Sequence, residues 1–326
     1  MPGTSGTDLD VDRIARAAEV IDPQFRDSPQ FVDERLSAAL GRKVLVKVET
    51  LNPLHSFKGR GAEWFAETLD PGRRVVCASS GNFGQAMAFA CRRRGIPVEV
   101  FVPADVNPVK ADRMRSLGAQ VTVADGDGKA AGEAARARAG GRPETHFVVD
   151  GQEPAVAEGA GTIGVELLRS GPLDTVVVPV GDGALINGIA AWVKAHAPGT
   201  RMIGVCAEGA PSMAHSWRAG RPVATARADT IAEGIAIRSP VAASLERMRV
   251  LVDDMVLVPD DALLAMMRLA ADTLGVLLEP SGAAGLAAVA THNLPGDRLA
   301  TVLTGGDPRP ELLAALLTGP RQRTTR

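Results

Sequence analysis

The chain has 326 residues, 45% of them hydrophobic, and a formal net charge of −2. That is enough for a sizeable core and for two lobes sharing one site, while the near-neutral balance excludes nucleic acid and anionic membrane as partners held by bulk charge. No apolar run approaches the roughly 20 residues needed to span a bilayer, and the opening MPGTSGTDLD lacks the basic and apolar regions of a secretory signal, so a cytoplasmic protein is expected.

The first informative segment is NPLHSFKGRGAEWF. Only six of the 36 basic residues are lysine, and one of them, Lys58, sits here between an aromatic residue and a glycine at the expected start of a helix. Desolvation and nearby positive charge give a lysine the neutral amine that imine chemistry needs, and a helix start supplies the positive end of a macrodipole. Taken alone, Lys58 is equally a surface lysine at a helix start.

A strand over 75–79 follows, and the turn Ser79-Ser80-Gly81-Asn82 opens a helix over 83–94. Backbone amides at such a turn cradle a carboxylate or phosphate; an ordinary Ser/Asn helix cap is the plainer alternative. Strands over 98–103, 120–124, 146–150, 175–180, 202–208 and 299–305 alternate with helices over 108–117, 129–139, 155–170, 184–196 and 260–275. The strands are short, β-branched and almost continuously apolar, the pattern of strands covered on both faces. The order βαβα gives an α/β class with open, twisted, mostly parallel sheets.

Between 178 and 195 the strand–GDGA–helix geometry recurs, with small residues that let amides approach a phosphate. It is not a GxGxxG motif, because Ala184, Leu185 and Ile186 follow Gly183. EPSGAAG (279–285) and VLTGGD (302–307) place further small and hydroxyl residues where elements end. The tail GPRQRTTR is expected to fray. Cys77, Cys91 and Cys206 show no CxxC spacing and are expected to be buried free thiols, and the five histidines form no HExxH cluster, so no zinc site is expected.

In this order and spacing, SFKGRGA, SSGNFGQA, GDGAL, EPSGA and LTGGD resemble the fold-type II pyridoxal-5′-phosphate (PLP) enzymes, in particular the threonine/serine dehydratases and serine racemases. The resemblance runs from about residue 20 to 318. It implies a two-domain, tryptophan synthase β-like fold in which a small domain, 45–142, is inserted into a large one made of 1–44 and 143–326. It further implies that Lys58 is the Schiff-base lysine and the base that moves the Cα proton, with Phe57 against the pyridine ring. Asn82 would bond the ring 3-hydroxyl, and Ser79, Ser80, Gly81 and Asn82 would hold the substrate carboxylate. Gly181, Asp182, Gly183, Ala184 and Leu185 would bind the phosphate. Gly234 would cover the other ring face, and Thr304 would bond the ring nitrogen.

The activity so implied is β-elimination from L-threonine or L-serine to a 2-oxo acid and ammonia. Racemisation or β-replacement is the alternative within the fold, and an inert PLP- or amino-acid-binding protein is the alternative outside enzymology. Ser80 occupies the place of the second base in serine racemases, or is simply a carboxylate-binding turn residue. The resemblance also implies a homodimer. Several positions depart from the family. Asp182 stands where a glycine is common, and its side chain is expected to turn outward from the phosphate. Asp307 stands where an asparagine is usual and is expected to leave the ring nitrogen to Thr304. His55 and Phe83 fall near the expected substrate pocket, His55 as a candidate substrate contact. Glu208 is kept from a divalent-cation site, but Ser212 and Ala214 stand where an aspartate is needed, so no metal is expected. The length leaves no room for a C-terminal regulatory domain, and isoleucine feedback is not expected.

Overall fold

The structure, a computed structural model, describes residues 6–318; the tail expected to fray, 319–326, lies outside that range. Among the described residues ten strands form two sheets: β1 (Gln30–Val32), β2 (Val44–Val48), β3 (Arg74–Ala78), β4 (Val98–Val102), β5 (Gln120–Val123), β6 (Thr145–Val148), β7 (Thr175–Pro179), β8 (Arg201–Ala207), β9 (Asp254–Val258) and β10 (Leu299–Leu303). The larger sheet has the order β1-β2-β10-β7-β8-β9 and the smaller the order β5-β4-β3-β6. Every pairing is parallel except that of the edge strand β1 with β2.

Alternation along the central strands shows why their sequences read as unbroken apolar runs. Val44, Val46 and Val48 of β2, Val177 of β7 and Leu303 of β10 enter one apolar cluster. Leu45, Val176, Val178, Ala300 and Val302 enter another on the opposite face. Side chains of successive residues leave a sheet on opposite sides, so both faces need apolar residues once helices cover both. The two sheets divide the chain a few residues later than the expected 45–142 insertion. At its start, β2 pairs with β10 in the larger sheet, and just past its end β6 pairs with β3 in the smaller.

Glycine faces bring the helices around the site into backbone contact. A Cβ on Gly61, in the helix Lys58–Thr68, would lie 2.5 Å from the Val156 carbonyl. One on Gly188, in the helix Ala184–His196, would lie 1.9 Å from the Ala157 carbonyl. Both partners belong to the helix Pro154–Leu168, which is thereby the common support of the two site-bearing helices.

Directly behind Lys58 the same helix carries an ion network that is cut off from solvent. The Arg60 guanidinium donates through Nε and Nη2 to both Glu49 carboxylate oxygens at 2.8 Å. Through Nη1 and Nη2 it donates to Glu166 at 2.6 and 2.9 Å, and through Nη1 to Thr162 Oγ1 at 2.9 Å. Lys47 also pairs with Glu166, and its Nζ donates to the Ser28 carbonyl at 2.6 Å. Burial alone would raise the Glu166 carboxyl, but the hydrogen bonds and charge of Arg60, with Lys47 behind, bring it down to about 2. Two cations face two carboxylates, so the burial leaves no net charge.

All three cysteines are buried free thiols. Among the described residues no helix is long and apolar enough to cross a membrane.

Candidate active site

Ligands of open α/β sheets bind beyond the carboxyl ends of the strands, and here the motif-bearing turns follow β3, β6, β7 and β10. They surround a cavity of about 640 Å³. Lys58 reaches it because the segment before it is clasped to the loop after β10. Phe57 N donates to the Thr304 carbonyl at 3.1 Å, Gly306 N donates to the His55 carbonyl at 2.9 Å, and Ser56 bridges Gly305. Thus SFK and LTGGD, far apart in sequence, form one wall. The Lys58 Nζ lies 4.6 Å from the Phe57 ring centroid and 5.9 Å from that of Phe83.

Phe57, Lys58, Ser79, Ser80, Gly81, Asn82, Gly181, Asp182, Gly183, Ala184, Leu185, Gly234 and Thr304 all line this cavity. His55 does not. Its side chain is exposed and its backbone takes φ +50 to turn the chain toward Lys58. The expectation of a substrate contact therefore gives way to a backbone role.

The turn after β3 is shaped by Ser79, whose Oγ accepts from Gly81 N at 3.2 Å and Gly84 N at 3.1 Å. Ser80 is exposed at the cavity. The turn after β7 needs glycine twice. Gly183 has φ +91, and a Cβ there would lie 2.0 Å from Ser244 Oγ; a Cβ on Gly181 would lie 2.4 Å from the Gly234 carbonyl. The helix Ala184–His196 begins at this turn, and its first amides have no partner within the helix.

Asp182 overturns one expectation. The residue lines the cavity, and its carboxyl feels the charges of Asp150 and Lys58, so it is not turned out to solvent. Burial first, and then the neighbouring Asp150, push its carboxyl well above the ordinary range, while Lys58 pulls the other way. The outward orientation rests on repulsion by a phosphate alone; the packing of Gly151 against Asp182, which the sequence does not show, brings Asp182 beside Asp150. Asp307 pairs with Arg113 at 3.6 Å.

Two further residues carry charge into the cavity. Asp150, the residue ending the apolar run HFVVD, forms an ion pair with Lys58 Nζ through Oδ2. Glu279, in EPSGAAG, accepts from Asn82 Nδ2 at 3.0 Å. Both are visible in the sequence as acids at element ends, but nothing there says which lysine or amide they meet. Burial pushes the Glu279 carboxyl up to about 7, against the opposing pull of Lys110 and the Asn82 hydrogen bond.

That shift predicts a pH dependence. A carboxyl whose folded value is raised costs nothing while it is protonated in both states. Its penalty grows as pH rises from the ordinary 4.5 and is complete above about 7. Against Glu279→Gln, the wild-type apoprotein is expected to lose about 3 kcal/mol of stability between pH 4 and 8. Urea unfolding of both proteins at the two pH values checks this.

The cavity suits a phosphorylated pyridine aldehyde on three grounds. Lys58 offers a primary amine on its lining. The glycine turn with its free helix amides offers an anion cradle. Asn82 Oδ1 is buried and without a partner, an acceptor waiting for a hydroxyl donor. Opposite, Thr304 Oγ1 makes only a long 3.4 Å bond to the Ser281 carbonyl, easily exchanged for a ring nitrogen.

Comparison with known proteins agrees. A family model described as "Pyridoxal-phosphate dependent enzyme" matches residues 21–305. An L-threonine ammonia-lyase of Thermotoga maritima is 35% identical over 277 residues, covering 83% of this chain and 69% of that protein. The biosynthetic L-threonine dehydratase of Salmonella typhimurium is 34% identical, covering 84% of this chain and 55% of that protein, so the chain spans about half of it. The structure of maize serine racemase superposes with a TM-score of 0.87 at 28% identity, covering 95% of this chain and 97% of that one.

Proposed function

The chain belongs to the family of pyridoxal-phosphate dependent enzymes, and from that premise we propose that it catalyses β-elimination of a small hydroxy amino acid, L-threonine or L-serine, to a 2-oxo acid and ammonia. The observation that carries this reading is the Lys58 amine, set in a cavity also lined by a glycine turn that opens a helix. When bound, pyridoxal phosphate supplies the electron sink for the pair left at Cα.

The chain's own residues do the rest. Lys58 would hold the cofactor through its amine and would take the Cα proton. The turn Ser79–Asn82 receives the substrate carboxylate on its amides. Phe57 and Gly234 would flank the ring, Gly181 through Leu185 would hold the phosphate, and Asn82 and Thr304 would fix the ring by its hydroxyl and its nitrogen. A neutral hydroxyl at that nitrogen stabilises a pyridinium less than a carboxylate would, which favours prompt loss of the β-hydroxyl over prolonged storage of charge at Cα. The ligand is a free small amino acid, and by resemblance the enzyme acts as a cytoplasmic homodimer.

The test is a panel of β-substituted amino acids given to the holoenzyme and scored for 2-oxo acid and ammonia. Pyruvate from L-serine or 2-oxobutanoate from L-threonine is expected; no product from any member, with cofactor bound, overturns the reading. The likeness to a serine racemase and the place of Ser80 at the cavity favour racemisation as a second reading, which D-serine formed from L-serine in deuterated water would establish.

A further inference from the structure

The carboxylates around the cavity differ in what holds them, and Glu279 accepts from Asn82 Nδ2. Glu233 is held by Lys110 at 3.4 Å and by Arg309, Asp307 by Arg113 at 3.6 Å, and Glu133 by Lys129 at 3.7 Å. Those are rim pairs. Asp150 and Asp182 are different, because Lys58 is the cation common to both.

The two aspartates spring from touching backbones. A Cβ on Gly151, next to Asp150, would lie 2.0 Å from the Asp182 carbonyl oxygen and 3.0 Å from the Asp182 Cβ. Asp150 is only 6% exposed. Its Oδ2 contacts Lys58, while its Oδ1 is buried with no hydrogen-bond partner. Both residues line the cavity. An acceptor left bare at that depth carries the full cost of its lost hydration, which a donor brought by a ligand would relieve.

The reading above sharpens this, and the inference rests on it. To take a proton, Lys58 must be a neutral amine. At that moment the one cation shared by Asp150 and Asp182 is gone, beside a cofactor phosphate that is itself negative. A positive group brought by the substrate restores the balance; a neutral hydroxyl does so less well, and a carboxylate worsens it. Burial and the charge of Asp150 already oppose ionisation of Asp182, and a cation between the two relieves that opposition.

We propose that Asp150 and Asp182 form a dicarboxylate subsite that selects an amino acid bearing an ammonium group on its β-carbon. For L-2,3-diaminopropionate the step balances as follows. Lys58 takes the Cα proton and the C–H electron pair becomes the Cα–Cβ double bond. The Cβ–N bond breaks with its electron pair going to nitrogen, which leaves as ammonia. Hydrolysis of the released enamine with one water then gives pyruvate and a second ammonia.

Two measurements on the holoenzyme test this. The first is kcat/KM for L-2,3-diaminopropionate against L-serine, expected to favour the diamino acid by at least about tenfold, the effect of one charged hydrogen bond. The second is titration of the visible cofactor band with L-2,4-diaminobutyrate and with L-aspartate, the former expected to bind at least about tenfold tighter on the same grounds. Both preferences should vanish in the variant Asp150→Asn/Asp182→Asn; because they are ratios, a reduced active fraction does not affect them. Wild-type enzyme that eliminates L-serine yet shows no preference in either measurement overturns the subsite, as does a variant that keeps both preferences. Holoenzyme that eliminates neither amino acid overturns the β-elimination reading instead. The titration then decides the subsite by itself, tighter diaminobutyrate binding supporting it and equal binding overturning it.

Discussion

Lys58→Ala is expected to remove covalent attachment of pyridoxal phosphate and to reduce turnover of L-serine or L-threonine by roughly 10²–10⁴-fold or more, the usual worth of a positioned proton-transfer group. The side chain stands between the Phe57 ring and the Asp150 carboxylate. No other lysine takes its place. Lys110 and Lys129 also line the cavity, but each is paired with a glutamate on the rim. Borohydride reduction followed by mass measurement of the intact chain checks attachment: wild type should gain one reduced pyridoxyl phosphate and Lys58→Ala none. Far-ultraviolet dichroism should coincide for the two proteins. Full activity in Lys58→Ala would remove the central assignment.

Arg60→Leu is expected to cost 3–5 kcal/mol of stability, the range for breaking a buried ion pair by removing one partner (~4 kcal/mol). The guanidinium makes five hydrogen bonds to Glu49, Glu166 and Thr162. Its loss leaves two buried carboxylates to Lys47 alone. Arg60→Lys keeps the charge but not the fork that meets two carboxylates at once, so it should fall between leucine and wild type. Urea midpoints of the three proteins order them. The network sits two residues beyond Lys58, so Arg60→Leu should also weaken cofactor retention, read as the fraction of protein carrying the visible band after dialysis.

Much of this was legible in the residues. Most of the seven strands read from the sequence stand out because both their faces are covered, which leaves runs such as TVVVPV with no polar register to blur them; β5, at a sheet edge and partly exposed, is the exception. Missed among the described residues were β2 and the short edge strands. In VLVKV the polar break is Lys47, whose burial depends on Glu166, a partner a hundred residues away that no local pattern reveals. The lysine, the two turns and Thr304 stand out only as a set of motifs that resembles a family, since each alone is equally an ordinary helix start or cap; all of them line the cavity. His55 was misplaced because nearness in sequence to Lys58 stood in for nearness in space. A residue at φ +50 turns the chain, and here the turn leaves the imidazole outside. Asp150 could not be singled out because its meaning comes from Lys58 and Asp182, brought to it by two different elements. The same blindness misdirected Asp182.

The hydroxyl of Ser79 fastens the Gly81 amide of its turn and the Gly84 amide of the helix beyond before any ligand arrives. A substrate carboxylate thus meets a mould that has already set, and pays little entropy to shape it. Capture at this end of the molecule should be quick and similar for every α-amino acid, D or L, large or small. Discrimination among them is left to the opposite end, where the side chain lies.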